Sequence, residues 1–299
     1  MSVSVIIPAY KARNYLAQAM QSVGQQSLQP AEVIVVDDCS PEAVDDILAL
    51  FRERPGYPDI RVVRHEKNQG LGAARNSGIA HAQSEWVAFL DHDDVWSPEH
   101  LAGMLKTLKE TMAEMAYRPV LEFTDDTQTA KHVWGPASDT HEGNFDIRLY
   151  KDCFITPSAV VAKKELLLRM GGFSTDPKVH MCEDLDLWLR MRREGIPMAF
   201  APEPWVYYRK HPGGATSRPG YMAYQAAYVR QLHFPTARGG WFCKRVILAK
   251  YWWAACRVHY RTQNVWPKEP IRRALVASWP VPWVLPGALY KFAMLVIKA

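Results

Sequence analysis

Three carboxylates within four residues, Asp91-His92-Asp93-Asp94, are the densest chemical signal in the chain. Like charges this close repel unless a cation or solvent screens them. Hard oxygen ligands of this kind suit Mg²⁺ or Mn²⁺, which bind through one or two carboxylates and complete their shell with substrate phosphates. An acidic turn with Asp94 capping the next helix is the plainer reading, but the position straight after the apolar run Trp86–Leu90 favours a metal. A second acidic pair, Asp37-Asp38, closes another apolar run and precedes Cys39-Ser40. One of these acids is placed to accept hydrogen bonds from a nucleobase or ribose, while Ser40 or Asp38 caps a helix starting at Pro41. Glu183-Asp184 opens an amphipathic stretch, Leu185–Arg192. Acids there complement a helix dipole, and a carboxylate ionised near neutrality also serves as general base toward an attacking hydroxyl. The spacing leaves both readings open.

Other candidates carry less information. Asn68-Gln-Gly-Leu-Gly-Ala-Ala-Arg-Asn-Ser-Gly78 looks like a phosphate loop but lacks the Lys-Ser/Thr of a P-loop. Its small residues suit a helix packed closely on a sheet, with Arg75 on the ligand side. Trp134, Trp188 and Trp205 suit stacking on sugar rings, although the helical spacing around Trp188 equally suits a core.

These residues need a frame that brings them together. The β-branched run Val3–Ile7 stops at Pro8, and further strands are predicted at Glu32–Val36, Ile60–Arg64 and Trp86–Leu90. Between them lie helical stretches at about 12–26, Pro41–Arg52 and Gly70–Ala82, with another from about Pro98 to Ala116. Strands alternating with helices give βαβ units and a mostly parallel central sheet. Ligands of such sheets bind beyond the carboxyl ends of the strands, where Asp37, Asp38, Asp91, His92, Asp93 and Asp94 all fall. The second half is less regular, with strands expected at 120–123, 158–162, 198–201 and 206–209 and a helix at 185–193.

Composition bounds the rest. At 299 residues with 48% apolar and 22% charged side chains, the chain is neither collagen-like, nor a disordered tail, nor a disulfide-built mini-protein. The net charge of +5 averages two unlike regions. Residues 220–299 hold 12 Lys and Arg against the single acid Glu269, together with six of the 11 Trp. The first 219 residues are net acidic, and the Pro/Gly-rich stretch His211–Gly220 joins the two. The expected organisation is therefore a body at 1–219 and a helical, basic, Trp-rich region at 220–299.

If Trp241–Thr262 is a helix, Lys250, Arg257 and Arg261 share one face. Basic residues with Trp and aliphatic residues suit an anionic lipid surface, at roughly 1 kcal/mol per basic side chain. A solvated nucleic-acid arm fits less well because the region is so apolar, so no nucleic-acid partner is expected. A helical subdomain packed on the acidic body is the other reading. Five widely spaced cysteines without a C-x-x-C pair argue against a disulfide framework and a four-Cys zinc site. The N-terminus lacks a basic n-region and long apolar h-region, and no apolar run reaches the ~18 residues of a membrane span. The expected location is cytoplasmic, peripheral on the inner face of the cell membrane.

Taken in order, the motifs resemble the family 2 glycosyltransferases with the GT-A fold. The resemblance runs from Val3 to about Ser217. It is carried by Val-Ser-Val-Ile-Ile-Pro-Ala-Tyr (3–10), Val-Ile-Val-Val-Asp-Asp-Cys-Ser (33–40), the Asn68–Gly78 segment and Phe-Leu-Asp-His-Asp-Asp (89–94). Gly-Gly-Phe (171–173), Glu-Asp-Leu-Asp-Leu-Trp-Leu-Arg (183–190) and Tyr-Arg-Lys-His (208–211) complete it. The resemblance implies an inverting, metal-dependent enzyme moving a sugar from a nucleotide-diphospho-sugar, by family precedent a UDP-sugar, to a hydroxyl of a glycan or lipid-linked acceptor in surface polysaccharide synthesis. It implies Pro8, Ala9, Tyr10, Asp38, Arg75 and Asp91 at the donor nucleotide. Asp91, Asp93 and His211 would stand at Mn²⁺ or Mg²⁺, Asp184 would be the catalytic base, and Glu183, Gly172, Phe173 and Trp188 would lie toward the sugar or acceptor. Two departures stand out: Lys11 replaces the family's usual Asn, and His92 fills the middle of D-x-D. A sugar-nucleotide pyrophosphorylase would need a Gly-rich, basic loop after the first strand, which Pro8–Ala12 does not supply. A non-catalytic nucleotide- or glycan-binding module would not need both the metal acids and a base.

Overall fold

The computed structural model describes residues 1–130, 132–135, 145–203, 205–214, 222–238, 240–263 and 267–278. Its strands are β1 (Val3–Ala9), β2 (Glu32–Asp37), β3 (Asp59–Arg64), β4 (Trp86–Phe89), β5 (Val95–Trp96), β6 (Met115–Tyr117), β7 (Val120–Phe123), β8 (His132–Trp134), β9 (Val160–Lys163), β10 (Ala199–Phe200) and β11 (Val206–Arg209). The helices are α1 (Leu16–Gly24), α2 (Asp45–Arg52), α3 (Leu71–His81), α4 (His100–Thr111), α5 (Phe145–Asp152), α6 (Lys164–Arg169), α7 (Glu183–Arg193), α8 (Ala223–His233), α9 (Trp241–Gln263) and α10 (Lys268–Ser278).

Seven strands form the central sheet in the order β10-β6-β9-β4-β1-β2-β3, and β5-β11-β7-β8 form a smaller one. The central sheet is parallel except for β9, which runs antiparallel between β4 and β6. Every residue of β1 and β2 is buried, as expected for β-branched strands covered on both faces. Alternation splits them between two cores. Val3, Val5 and Ile7 pack with α1 and α4, while Ile6, Ile34 and Val36 pack with α3 and α7. Gly78 lets α3 lie close to the sheet, since a Cβ there would stand 2.3 Å from Ile6 Cγ2.

The helix expected to reach Ala116 ends at Thr111, where Met112 turns left-handed. Met115–Tyr117 then pairs with β9 and β10, so tertiary pairing overrides the local helical pattern. The helix expected from Pro41 starts at Asp45, with Val44 before it, so neither Ser40 nor Asp38 caps it.

The C-terminal helices fold against the body. Trp252 is fully buried and Trp253 nearly so, packed with Leu248, Cys256, Ala274 and Ala277 between α9 and α10. Val229, Ala237 and Ile247 enter the same core as Phe145 of α5 and Leu187 of α7. The compositional border near residue 219 lies outside the described residues.

Candidate active site

The carboxyl ends of β1, β2 and β4 converge on one edge of the sheet, and their loops carry the acids. Lys11 and Cys39, just beyond β1 and β2, both have left-handed backbones (φ 53° and 60°). Asn, which the resemblance implies at position 11, adopts that conformation more readily than Lys. Lys11 N–H donates to Ser40 Oγ at 3.2 Å, joining the two turns. Pro8 and Ala9 are buried at the end of β1, while the Tyr10 ring is 41% exposed and offers a face to a ligand.

The two acids after β2 do different work. Asp37 Oδ1 accepts Ser40 N–H at 2.9 Å, and its Oδ2 pairs with Arg64 at 3.0 Å. Asp38 is buried and directed at the following loop. Its Oδ1 meets His65 Nδ1 at 2.7 Å and Gln69 N–H at 2.8 Å, and its Oδ2 accepts Gly70 N–H at 2.7 Å. A nucleobase here would share these oxygens with the loop that Asp38 holds.

Arg75 joins two motifs far apart in sequence. The buried guanidinium donates from Nη2 to Asp91 at 2.7 Å and from Nη1 to Glu183 at 2.9 Å. Burial opposes its charge, but Asp91 and then Glu183 outweigh that and hold its pKa above the ordinary value. Its Nε and Glu183 Oε2 have no partner among the described residues.

The remaining D-x-D acids diverge. Asp93 Oδ2 lies 3.0 Å from His211 Nε2, and the His211 ring packs edge-on to Tyr15. Asp94 is fully buried, and its Oδ1 accepts Arg209 N–H at 3.0 Å, so it pins β11 instead of capping α4. Burial, reinforced by Asp93 and Asp91, pushes its carboxyl well above the usual carboxylate range. His92 Nδ1 faces the Pro8 carbonyl at 3.2 Å, so the middle residue of D-x-D leans toward the end of β1.

Among the described residues no three metal-ligating side chains converge. The expected set of Asp91, Asp93 and His211 is reduced because Asp91 turns to Arg75. A carboxylate nevertheless suits Mn²⁺ or Mg²⁺ when substrate phosphates complete the shell, and an adjacent imidazole favours the softer Mn²⁺. Asp93 and His211 fit that requirement.

Asp184 begins α7 beside this centre. Its Oδ1 accepts Leu185 N–H at 2.7 Å. Burial, and then the neighbouring Glu183 charge, raises its pKa to about 7. A carboxylate in that range exchanges a proton at neutral pH.

Two acceptor-side candidates belong elsewhere. Trp188 is fully buried and donates Nε1–H to the Ile155 carbonyl at 3.1 Å. Phe173 is 2% exposed between Phe89 and Trp188. Both are core residues with no face for a sugar, as the apolar spacing of α7 allowed. Gly172, with φ +69°, sits against Asn76, whose side chain brackets the Phe173 backbone with two 2.8 Å hydrogen bonds. Glu183 acts through Arg75.

Sequence reasoning assigned no role to Arg209 or Cys153. Arg209 lies within the quoted Tyr-Arg-Lys-His segment and donates from Nε to the Asp93 carbonyl at 2.8 Å. Cys153 had no local signal; its Sγ reaches Asp184 from just beyond the end of α5.

Comparisons with known proteins bear on the family and the fold. The family model "Glycosyl transferase family 2" matches residues 4–171. TuaG of Bacillus subtilis, a glycosyltransferase named for teichuronic acid biosynthesis, is 30% identical over 240 residues, 79% of this chain and 91% of its own. The crystal structure of S. aureus TarS residues 1–349 with UDP-GlcNAc superposes with TM-score 0.66 at 19% identity, over 96% of this chain and 82% of that one. The mannosyltransferase PcManGT from Pyrobaculum calidifontis, in complex with GDP-Man and Mn²⁺, gives 0.58 at 20% identity, over 99% and 75%. The α/β fold is thus of the GT-A type, and the chain belongs to glycosyl transferase family 2.

Proposed function

We propose that the protein is an inverting transferase that moves a sugar from a nucleotide-diphospho-sugar to a hydroxyl of a glycan or lipid-linked acceptor in polysaccharide biosynthesis. The observation that carries this reading is the Arg75 bridge, which ties the D-x-D loop through Asp91 to the first turn of α7, where Asp184 sits. A base is thereby held beside the donor end of the sheet. UDP is favoured because TarS is seen with UDP-GlcNAc, and the teichuronic acid relative supports a surface polymer as product.

Asp184 takes the proton of the acceptor hydroxyl as that oxygen attacks the anomeric carbon opposite the departing diphosphate, and one in-line displacement inverts the configuration. Tyr10, Asp38 and the turns at Lys11 and Cys39 frame the nucleotide. A divalent ion held by Asp93 and His211 would supply charge neutralisation for the leaving diphosphate. Arg75 holds Asp91 and Glu183 together, its one positive charge offsetting half of their combined negative charge.

A thermal-shift panel tests donor and metal together. Melting is expected to rise by several degrees with a UDP-sugar plus Mn²⁺, less with the sugar nucleotide alone, and little with GDP-, dTDP- or CMP-sugars. A flat response to every nucleotide with and without metal would remove the donor reading.

The C-terminal helices support contact with an anionic membrane surface. No helix among the described residues is long and apolar enough to cross one. Trp252 and Trp253 belong to the core, so contact falls to the exposed Trp241 and Phe242 at the start of α9, near Val276 at the end of α10. Arg245 binds the Val276 carbonyl and lies over the Trp241 ring. Lys250, Arg257 and Arg261 are exposed on α9. Flotation with anionic liposomes at low salt is expected, reduced by 1 M salt and by W241A/F242A. Equal recovery away from anionic and neutral vesicles would eliminate the surface as a membrane site.

A further inference from the structure

Cys153 lies 31 residues before Asp184 and belongs to none of the motifs, yet its Sγ stands 3.8 Å from Asp184 Oδ2. Because Oδ1 already accepts the Leu185 N–H, Oδ2 is the oxygen available to an acceptor hydroxyl. Burial pushes the Cys153 thiol well up, and the Asp184 charge pushes it the same way. The group is therefore a neutral S–H donor at neutral pH, weak but matched to a carboxylate that must stay basic.

The thiol is held in place from two sides. α5 ends at Asp152, and Cys153 turns left-handed (φ 46°) while its N–H bonds the Leu149 carbonyl at 3.1 Å. Such a backbone is strained outside glycine and persists only where the surroundings fix it. The fixing groups come from the C-terminal helices. The Lys151 carbonyl accepts Arg230 Nη2–H of α8 at 2.6 Å and the Tyr251 hydroxyl of α9 at 2.7 Å. Tyr150 OH donates to the Arg230 carbonyl at 2.7 Å, and the Arg230 guanidinium stacks 3.6 Å from the Tyr251 ring centroid. On the other side, buried Asp186 of α7 meets His233 Nε2 of α8 at 2.8 Å and Arg190 at 2.9 Å. α8 thus grips both the end of α5, which carries the thiol, and the turn of α7, which carries the carboxylate.

We propose that Cys153 is a positioning residue for the base, its S–H fixing Asp184 Oδ2, and that α8 and α9 hold the pair in register through the Lys151 carbonyl and Asp186. The inference rests on the reading of Asp184 as base. The titratable and charged groups around Asp184 are Glu183 beside it, Arg75 from α3, Asp91 from the loop after β4, and the thiols of Cys153 and Cys182, with Arg230 acting on both thiols.

The test is the pH profile of kcat/KM for the full chain and for C153A, C153S, Y251F and C153A/Y251F, with kcat and KM resolved separately and folding checked by melting. Loss of the donor in C153A is expected to move the acid limb upward by about half a unit, lowering kcat at acidic pH with donor KM unchanged. C153S, which keeps a hydrogen-bond donor, is expected to return the limb to the wild-type position or below. Y251F is expected to shift it less, and the double variant no further than C153A, because Tyr251 acts through the thiol. An unmoved limb in C153A, a Ser variant behaving like Ala, or additive shifts in the double variant would overturn the proposal. D184N separates the two levels. If D184N still transfers sugar, the base reading itself has failed; if D184N is inactive while C153A titrates like wild type, only this inference has failed.

Discussion

Replacing Asp184 by Asn is expected to cut sugar transfer by about 10²–10⁴-fold, the usual contribution of a general base, while donor-induced thermal stabilisation survives. Asn keeps the shape and can still accept the Leu185 N–H that now binds Oδ1, so the loss falls on kcat. The wild-type enzyme should show kcat/KM rising with pH through about 7, because burial and the adjacent Glu183 raise the Asp184 pKa to that value.

The same shift affects stability. The folded value lies above the ordinary 3.8 of Asp, so this group's stabilisation is full below about pH 4 and is lost as pH rises toward 7. Above that, the ionised Asp184 carboxylate costs the fold on the order of a few kcal/mol. D184N should therefore melt several degrees higher than wild type at pH 8, with the gap closing near pH 4. Transfer at the wild-type rate, or a variant melting no higher at pH 8, would count against a strained carboxylate base at this position.

Arg75→Met is expected to be the most disruptive single change at the site. The guanidinium is the shared partner of Asp91 and Glu183. Removing it leaves two carboxylates facing each other in a buried setting, at a cost of about 3–5 kcal/mol for breaking such a network. Its positive charge also lowers the Asp184 pKa, so the acid limb of any residual activity should move up. Arg75→Lys should rescue poorly, since one ammonium cannot reproduce a planar fork that reaches two separate acids. The measurements are chemical denaturation and kcat/KM against pH on all three proteins. An R75M protein with wild-type stability and profile would show that the bridge does not organise the site.

How much of this was legible in the sequence depended on how local each signal was. The four parallel strands β1–β4 and helix α3 fall within a residue or two of expectation, because the strands are short apolar or β-branched runs punctuated by turn residues, β1 and β2 being buried throughout. The acids after β2 and β4 were placed at the ligand edge by the same logic. Met115 and Ala116 were read as helix, since their strand pairing comes from β9 and β10, more than 40 residues away. The bridge from Arg75 to Glu183 spans 108 residues and the thiol contact to Asp184 spans 31, and neither leaves a periodic trace. Trp188 shows the opposite error. Its residue type suggested a sugar platform, while its position on the apolar face of α7 already placed it in the core.

The grip of α8 on Asp186 and on the end of α5 has a consequence for how this enzyme can be divided or inherited. Composition changes sharply at residue 220, and a recombination event or an engineer would be drawn to cut there. A piece ending at that border would keep every named motif yet lose His233, Arg230 and Tyr251, leaving Asp186 without its imidazole and the Lys151 carbonyl without both donors. The unit that can be exchanged between proteins is therefore longer than the motif-bearing segment. A chain cut at residue 220 is expected to melt lower than one that runs past Tyr251, because only the longer one keeps these contacts.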